Sequence, residues 1–309
     1  MSSAAHCLAC GSSSLTEWAT AHDVEYCTTQ ENFRYNACTQ CNALSIDPVP
    51  SERLAVIYPA SYYSYQPPGA SIISRVKTWL DSRLFRSVLA QVPGEALRVL
   101  DVGGGAGHEA ANVRAIDKRV RYTQVVDLDP AAAELARANG HEYFLGAIED
   151  FESRDPVDLL LLLNLIEHVA DPQRVLSRIG RMLSPGGAIL VKTPNHDALD
   201  ARIFRRHSWA GLHCPRHFVL FTRPAFEAMA ARSGLRVRHF AYTQGAPFWA
   251  ASVVCWLAEK GLARVSAERP VVYHPLFGVL SAAFAAVDFA RMPFAKTSQM
   301  ILVLERNTR

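Results

Sequence analysis

Val99-Leu-Asp-Val-Gly-Gly-Gly-Ala-Gly-His108 is the most informative stretch of this sequence. An apolar run leads into a glycine-rich turn, where glycine lets the backbone turn sharply and approach a ligand closely. The stretch lacks the Lys-Ser/Thr ending of a phosphate-cradling loop, and His108 stands where a dinucleotide fingerprint needs a third glycine. Asp127 follows Gly107 by twenty residues, and a carboxylate can accept hydrogen bonds from both hydroxyls of a ribose. These features favour a nucleotide-like cofactor over an ordinary tight turn.

The pattern around this stretch predicts the fold class. Short apolar runs alternate with amphipathic segments, and the predicted strands are Leu97–Asp101, Tyr122–Asp127, Glu142–Leu145, Val157–Leu163, Ala188–Thr193, Arg236–Tyr242 and Met300–Leu304. Strand and helix repeated in this way indicate an α/β fold with a parallel sheet covered by helices on both faces. We therefore expect a Rossmann-like, mostly parallel seven-stranded sheet.

Four further stretches make the chain resemble the class I S-adenosylmethionine-dependent methyltransferases: Phe144–Asp150, Leu163–His168, Leu183–Gly187 and Val191–Asn195. The resemblance covers about residues 96–240 and implies a cofactor site. The residues that it places beside S-adenosylmethionine are Asp101, Gly103, Gly105 and Gly107 along the methionine part, Asp127 at the ribose, Ile148 and Glu149 at the adenine, and Asn164 near the transferred methyl. The activity it implies is methyl transfer by an enzyme.

Composition places the chain among ordinary globular proteins. It has 309 residues, half of them hydrophobic and 20% charged, and its net charge of +3 is too small to indicate nucleic acid as a partner. The first seven residues lack a cationic start followed by an apolar run, so we expect a cytoplasmic protein. The longest apolar stretch, residues 276–290, would extend only about 22 Å as a helix, too short to cross a bilayer.

Two Cys-x-x-Cys pairs stand near the N-terminus, Cys7 with Cys10 and Cys38 with Cys41, with 27 residues between the pairs. This pairing predicts one structural, tetrahedral zinc site, and the long spacing predicts a hairpin or small sheet between the knuckles. The alternative is four reduced cysteines that pack as small apolar residues.

The chain divides into three predicted parts: a zinc-binding segment over residues 1–50, a Tyr/Pro-rich linker with a lead-in helix over 51–95, and a methyltransferase domain over 96–309. Within the last part we expect an acceptor loop at 196–221 and an apolar helical insertion at 245–295. This order resembles methyltransferases of sugar and surface-polysaccharide pathways. By that resemblance Tyr63 and Tyr65 cover the cofactor, although core packing is an equally open role for both.

Two histidines are candidates for a general base. His217 matches the place where the sugar C-methyltransferases have a Glu-His pair, with Arg216 in place of the Glu, and a nearby cation would keep the imidazole neutral. His168 ends a motif that resembles the metal-binding Glu-x-x-Glu-His of some O-methyltransferases, but Asn164 replaces the first Glu and breaks that site. Structural roles remain open for both histidines.

The acceptor loop carries a group of cations, and no acid lies between residues 202 and 217. We expect it to bind an anionic acceptor through Arg202, Arg205, Arg206 and Arg216, with Trp209 stacked on a sugar face; a solvated basic surface is the alternative. The predicted reaction is O-methylation of a sugar, nucleotide-sugar or glycolipid/polysaccharide acceptor. The alternative hypotheses are C-methylation of a nucleotide sugar and a non-catalytic role as an interaction scaffold. We expect the apolar insertion to cover the acceptor pocket or to pack a dimer, with peripheral membrane contact as the alternative. The oligomeric state stays open.

Overall fold

The computed structural model describes residues 5–59, 72–206 and 208–307. Eleven strands occur in these ranges: β1 Leu15–Ala21, β2 Phe33–Cys38, β3 Leu44–Asp47, β4 Leu97–Val102, β5 Val120–Asp127, β6 Glu142–Leu145, β7 Val157–Leu163, β8 Leu183–Pro194, β9 Val219–Leu220, β10 Leu235–Thr243 and β11 Gln299–Arg306. The α-helices are α1 Leu54–Ile57, α2 Ile72–Leu89, α3 His108–Ile116, α4 Pro130–Ala138, α5 Pro172–Met182, α6 Leu199–Phe204, α7 Arg223–Arg232, α8 Ala246–Glu259 and α9 Pro275–Arg291.

Seven strands form the large sheet, in the order β10-β11-β8-β7-β4-β5-β6. The five strands from β8 to β6 run parallel, whereas β11 pairs antiparallel with both β8 and β10. The prediction of a mostly parallel seven-stranded α/β sheet is confirmed. The strand β7 is buried on both faces, because an unbroken leucine run leaves no polar side for solvent.

Helices cover both faces of this sheet. Alternate side chains of the central strands pack against α5 and α7 on one face, with Leu100 and Leu160 among them. Their neighbours Val99 and Leu159 pack against α2 and α3 on the other face. The Asp129 side chain accepts a hydrogen bond from the Ala131 N–H and so caps α4.

The N-terminal residues form a second, four-stranded sheet in the order β1-β2-β3-β9. The predicted hairpin between the cysteine pairs is β1 with β2, while β9 comes from the acceptor loop. Cys7 and Cys38 belong to the same apolar cluster as Phe221 and Phe226, so the two sheets share a core. No helix in the described ranges combines the length and the apolar character needed to cross a bilayer.

Candidate functional site

The carboxyl ends of β4, β5 and β7 lie side by side at one edge of the large sheet, where parallel-sheet sites open. Asp101 lies in β4 and is 2% exposed, and its Oδ2 atom has no hydrogen-bond partner among the described residues. Burial, followed by the nearby charge of Glu109, raises the pKa of Asp101 to about 7. A buried carboxylate oxygen without a partner suits a cationic or N–H-bearing group of a ligand.

The glycine turn after β4 has left-handed backbone at Gly103, Gly105 and Gly107. A Cβ at Gly103 would lie 2.8 Å from the Leu165 side chain, and one at Gly107 would lie 2.7 Å from the ring of His141. A Cβ at Gly105 would meet no described residue within 4 Å. Packing within the protein therefore requires two of these glycines, whereas the space beside Gly105, as far as the described residues define it, would let a cofactor approach the backbone.

Asp127 ends β5 beside this turn. Its Oδ2 accepts a hydrogen bond from the Gly105 N–H at 2.8 Å, and its Oδ1 accepts one from the Asp129 N–H at 3.1 Å. Burial raises the pKa of Asp127, while these N–H donors oppose the rise. The carboxylate is thus held at the turn with its remaining lone pairs available to ribose hydroxyls.

The other predicted cofactor residues lie around the same edge. Asn164 follows β7 with a φ of +54°, and its Oδ1 accepts a hydrogen bond from Gln299 Nε2 at 3.2 Å. Ile148 is buried in the core and Glu149 is partly exposed beside it. Tyr63 and Tyr65 lie outside the described residues. The two carboxylates, the oxygen without a partner and the open side of Gly105 fit S-adenosylmethionine.

Three histidines form a cluster, one just after β7 and two from the predicted acceptor loop. The ring centroids of His168 and His217 are 4.6 Å apart, and those of His213 and His217 are 5.1 Å apart. His217 is 4% exposed, and its Nδ1 lies 2.8 Å from the main-chain oxygen of Gly211. Because a carbonyl oxygen only accepts, Nδ1 carries the proton and Nε2 keeps the lone pair.

The pKa of His217 lies well below its ordinary value, so the imidazole is neutral near pH 7. Burial is the largest cause, followed by the neighbouring His168 and His213, and Arg216 contributes less. Arg216, which the sequence suggests as the cause of the lowered pKa, is therefore a minor cause beside burial and the two histidines. His168 behaves similarly: burial lowers its pKa to about 3.

Glu167 completes this cluster from inside the core. Its side chain is fully buried; Oε2 accepts a hydrogen bond from Thr193 Oγ1 at 2.9 Å, and Oε1 has no partner among the described residues. Burial raises the pKa of Glu167 to about 8. One ligand atom each from Glu167, His168 and His217 lie within 4.8 Å of one another, a spacing that could hold a metal ion. Asn164 breaks the Glu-x-x-Glu-His pattern in the sequence, and His217 is the third group of this cluster, which no local pattern connects to Glu167 and His168.

Two predicted acceptor residues lie inside the protein. Arg216 is fully buried, and its guanidinium forms an ion pair with Asp23 at 2.7 Å. Trp209 is 1% exposed and donates from Nε1 to the Asp200 carboxylate at 2.7 Å. The predictions that Arg216 holds an anionic acceptor and that Trp209 stacks on a sugar are therefore corrected, because an acceptor reaches neither side chain without displacing core contacts.

The other three arginines of the loop are exposed. Arg202 pairs with Asp197 at 2.6 Å, and Arg205 lies over the ring of Trp18 while its Nε donates to the Trp18 main-chain oxygen. Arg206 is exposed beside them. The expected absence of neutralising acids is corrected, since acids from outside residues 202–217 pair with two of the loop's arginines.

The four predicted zinc ligands come together although they are distant in sequence. Cys7 Sγ lies 3.5 Å from Cys41 Sγ, and Cys10 Sγ lies 3.6 Å from Cys38 Sγ. All four sulfur atoms lie within 4.8 Å of one another. Four thiolates at Zn–S distances of about 2.3 Å would have sulfur atoms about 3.8 Å apart, so the cluster fits one tetrahedral zinc ion.

The apolar insertion forms the helical hairpin of α8 and α9. Trp249 of α8 stacks on Phe284 of α9 with ring centroids 4.9 Å apart. The outward side of α9 exposes Leu276, Val279 and Val287 to solvent. The contact of this face with a membrane stays a prediction, and flotation with liposomes tests it.

Sequence reasoning missed the residues that hold the histidine cluster from the N-terminal side. They are Asp23 and Glu25, which contact Arg216 and His213, and Tyr35 and Tyr58, which contact His217 and His168. The two residues of each contact lie more than 100 positions apart in the sequence, so no local pattern predicts the contact.

Comparison with known proteins gives one family match, to a model described as a methyltransferase domain, over residues 75–239. Among curated relatives, a ubiquinone biosynthesis O-methyltransferase of Xylella fastidiosa (strain 9a5c) is 34% identical over 113 residues, which are 34% of this chain and 45% of that relative. A second, from Nitrobacter winogradskyi, is 33% identical over 109 residues, which are 33% of this chain and 40% of that relative. The chain thus matches less than half the length of these relatives.

Among solved structures, coclaurine N-methyltransferase bound to N-methylheliamine and SAH is similar with a TM-score of 0.51 and 13% identity, covering 84% of this chain and 81% of that one. The [4+2]-cyclase SpnF is similar with a TM-score of 0.50 and 16% identity, covering 84% and 94%. These likenesses support the fold. One of these proteins is named a cyclase, so the shared fold does not by itself specify the reaction.

Proposed function

The chain belongs to the methyltransferase-domain family, and from this premise we propose that it transfers a methyl group from S-adenosylmethionine to a hydroxyl oxygen of an organic acceptor, with His217 as the general base. The observation that carries the proposal is the hydrogen bond from His217 Nδ1 to the Gly211 carbonyl. It places a proton on Nδ1, so that the neutral imidazole has its lone pair on Nε2. An imidazole in that state can take a proton at neutral pH.

The chain's own residues divide the work of binding. Asp101 offers a buried carboxylate to the cationic part of the cofactor, and Asp127 offers its lone pairs to the ribose. Gly105 leaves room for the cofactor at the turn. S-adenosylmethionine supplies, when bound, an electrophilic methyl group on a sulfonium. The protein must then hold the acceptor oxygen in line with that methyl and remove its proton.

The proton's destination is Nε2 of His217. As the acceptor oxygen forms its new bond to carbon, the hydroxyl proton passes to this nitrogen, and the imidazolium is transient because its surroundings disfavour the charge. His168 lies against His217 and is the second candidate for the same task. The proton leaves to solvent after product release.

The weak basicity of His217 bears on the acceptor. A base with a pKa held well below its ordinary value matches a hydroxyl that is itself acidic, such as a phenol with a pKa of about 10, better than a sugar alcohol. The matched relatives, named for ubiquinone biosynthesis, give no support to the polysaccharide pathway expected from the sequence. We therefore propose a phenolic or similarly acidic hydroxyl as the first candidate, with the sugar hydroxyl as its rival.

An anionic group on the acceptor would lie toward the exposed loop arginines. Arg205 and Arg206 are the two of the original set that are exposed without a carboxylate partner among the described residues. Replacement of either by alanine should raise KM for an anionic acceptor and leave kcat near the wild-type value, because such contacts serve ground and transition states alike.

The test uses methyl-labelled S-adenosylmethionine with two probe panels, simple catechols and nucleotide sugars, and follows product mass and the position of the label. We expect label on oxygen, a rate lower by about 10²- to 10⁴-fold for His217→Gln, and unchanged cofactor affinity by calorimetry. A chelator arm reports whether Glu167, His168 and His217 need a metal ion, with Cys38→Ser as the control for loss of zinc at the cysteine site. Label on carbon would replace the proposal by C-methylation, and cofactor binding without transfer to any panel member would favour a non-catalytic scaffold.

A further inference from the structure

A fully buried ion pair joins the N-terminal segment to the candidate base. Both side chains of the Asp23–Arg216 pair are 0% exposed, and two guanidinium nitrogens donate to the carboxylate, at 2.7 Å and 3.3 Å. Burial disfavours the ionised carboxylate, but the hydrogen bonds and charge of Arg216 outweigh it and keep the pKa of Asp23 below its ordinary value. The guanidinium also lies 4.5 Å over the ring of Tyr26. These contacts fix Arg216 from several directions.

The same arginine contacts the rest of the site through both its side chain and its main chain. Its Nε donates to the main-chain oxygen of Ile57 at 2.7 Å, next to Tyr58. Its own main-chain oxygen lies 3.0 Å from Nδ1 of His168. Since that oxygen only accepts, this contact favours a proton on Nδ1, with the Tyr58 hydroxyl, 2.8 Å from the same atom, accepting as well. In that tautomer Nε2 keeps the lone pair, as in His217.

The neighbouring residue is held from the same side. Tyr35 of β2 donates from its hydroxyl to the main-chain oxygens of His217 and Leu212, each at 3.2 Å. The Arg216 N–H donates to the His213 oxygen at 2.7 Å and closes the turn that carries His213 and His217. A shift of Arg216 would therefore move both candidate bases.

We propose that Asp23 is a positioning residue for His168 and His217, acting through Arg216. The carboxylate anchors the guanidinium, the anchored arginine presents its carbonyl to His168, and both imidazoles then direct Nε2 lone pairs toward the acceptor side. The N-terminal segment thus contributes to the reaction as well as to folding. A buried ion pair can often be replaced by apolar groups without loss of stability, which is why orientation rather than stability is the quantity to test.

The inference rests on the proposed function, since positioning matters only if these histidines accept a proton. The first measurement avoids the need for a known acceptor: long-range nitrogen NMR of the full chain labelled at histidine, at about pH 7, assigned with His168→Gln and His217→Gln. We expect both histidines to be neutral with the proton on Nδ1, the less common form in water. In Asp23→Asn we expect His168 to shift toward the Nε2–H form.

Controls separate positioning from folding. Asp288→Asn removes another fully buried carboxylate that pairs with an arginine, Arg291 at 3.0 Å, and should leave both tautomers unchanged. Asp23→Glu should restore most of the wild-type spectrum by keeping the charge. If Asp23→Asn fails to fold, Arg216→Lys serves instead, because it keeps the charge pair and loses both the second hydrogen bond to Asp23 and the Nε bond to Ile57.

The activity readout is a split between kinetic constants. With whichever probe the wild-type protein methylates, Asp23→Asn should lower kcat about tenfold or more while KM and cofactor affinity stay close to wild type. Nε2–H on His168 in the wild-type protein, or an unchanged tautomer and kcat in a folded Asp23→Asn, would overturn the inference and leave methyl transfer standing. Absence of methyl transfer by the wild type, with the tautomer shift present, would instead remove the proposed function.

Discussion

Asp101 has a pKa of about 7, so its charge changes within the range in which the protein can be studied. Below that pH the folded carboxyl binds a proton that the unfolded chain, with an ordinary pKa near 4, has already released. Its contribution to stability is therefore greatest at low pH and falls as the pH rises from about 4 to about 7. A cationic ligand favours the ionised form and couples binding to loss of that proton.

This coupling gives the first prediction. The affinity for S-adenosylmethionine should rise roughly five- to tenfold between about pH 6 and about pH 7.5, and then level off, as Asp101 ionises in the free protein. Calorimetry in buffers of different ionisation enthalpy should detect the released proton. Asp101→Asn should bind more weakly and lose most of this pH dependence; an unchanged pH profile in that variant would remove Asp101 from the cofactor site.

The second prediction concerns Gly103 and Gly105 of the glycine turn. Substitution of Gly103 should mainly lower stability, whereas substitution of Gly105 should mainly weaken cofactor binding. Gly103→Ala forces a side chain into the left-handed region and within 2.8 Å of Leu165, so it should lower the free energy of unfolding by more than about 1–2 kcal/mol. Gly105→Val carries left-handed backbone strain too, but its Cβ meets no described residue, so its stability cost comes from the backbone alone. It should weaken cofactor binding because it fills the space at the turn. Urea unfolding and calorimetry of both variants check the contrast; equal cofactor affinity in Gly105→Val and wild type would contradict it.

The sequence predicts the location of some site residues correctly and of others not at all. The predicted position of Asp101 and Asp127 at one edge agrees with the structure, because parallel strands bring their carboxyl ends together. Arg216 and Trp209 could not be placed, because cations and aromatics on a loop look the same whether they face solvent or a distant partner. Only the folded chain brings Asp23 to Arg216.

At the scale of elements, periodicity was enough to place most strands. The predicted bounds of β6 and β7 agree with the structure, since apolar runs flanked by polar residues leave little choice of register. The strand β8 begins at Leu183 rather than at the predicted Ala188. Its Ser-Pro-Gly-Gly start reads as a turn, but Leu183 pairs with Val157 across the sheet, so tertiary pairing overrides the local signal.

The zinc knuckles give the third prediction. Purified protein prepared without chelators should contain about one zinc ion per chain, measured by mass spectrometry of the metal, because the four cysteine sulfurs are already clustered. Cys38→Ser should lose the metal and lower the melting temperature, whereas Cys255→Ser, which changes a buried cysteine of another cluster, should keep the metal. Zinc-free wild-type protein of unchanged stability would favour reduced cysteines packed as apolar residues.

At the scale of the whole molecule, the second sheet is completed by β9 from the acceptor loop. The boundaries predicted at residues 50 and 95 rest on changes in composition along the sequence. That they separate independent folding units stays a prediction. The sequence could not reveal the pairing, since β3 and β9 are short and lie more than 170 residues apart. Val219 of β9 packs in the same apolar cluster as Cys7, Cys38 and the central strands, so this cluster joins the zinc knuckles to the large sheet.

The last prediction follows from that shared core: the chain should unfold as one cooperative unit. Leu44 of β3 and Leu160 of β7 are each 0% exposed, one in each sheet, so alanine at either position should lower the free energy of unfolding by about 2–5 kcal/mol. In one unit, both variants should shift the same calorimetric transition downward, and the calorimetric and van't Hoff enthalpies should agree. Removal of zinc should shift that transition as a whole. The contrary result would be two transitions, one shifted by Leu44→Ala and the other by Leu160→Ala. It would mean that the N-terminal sheet folds separately and contacts the histidine cluster only after both parts have folded.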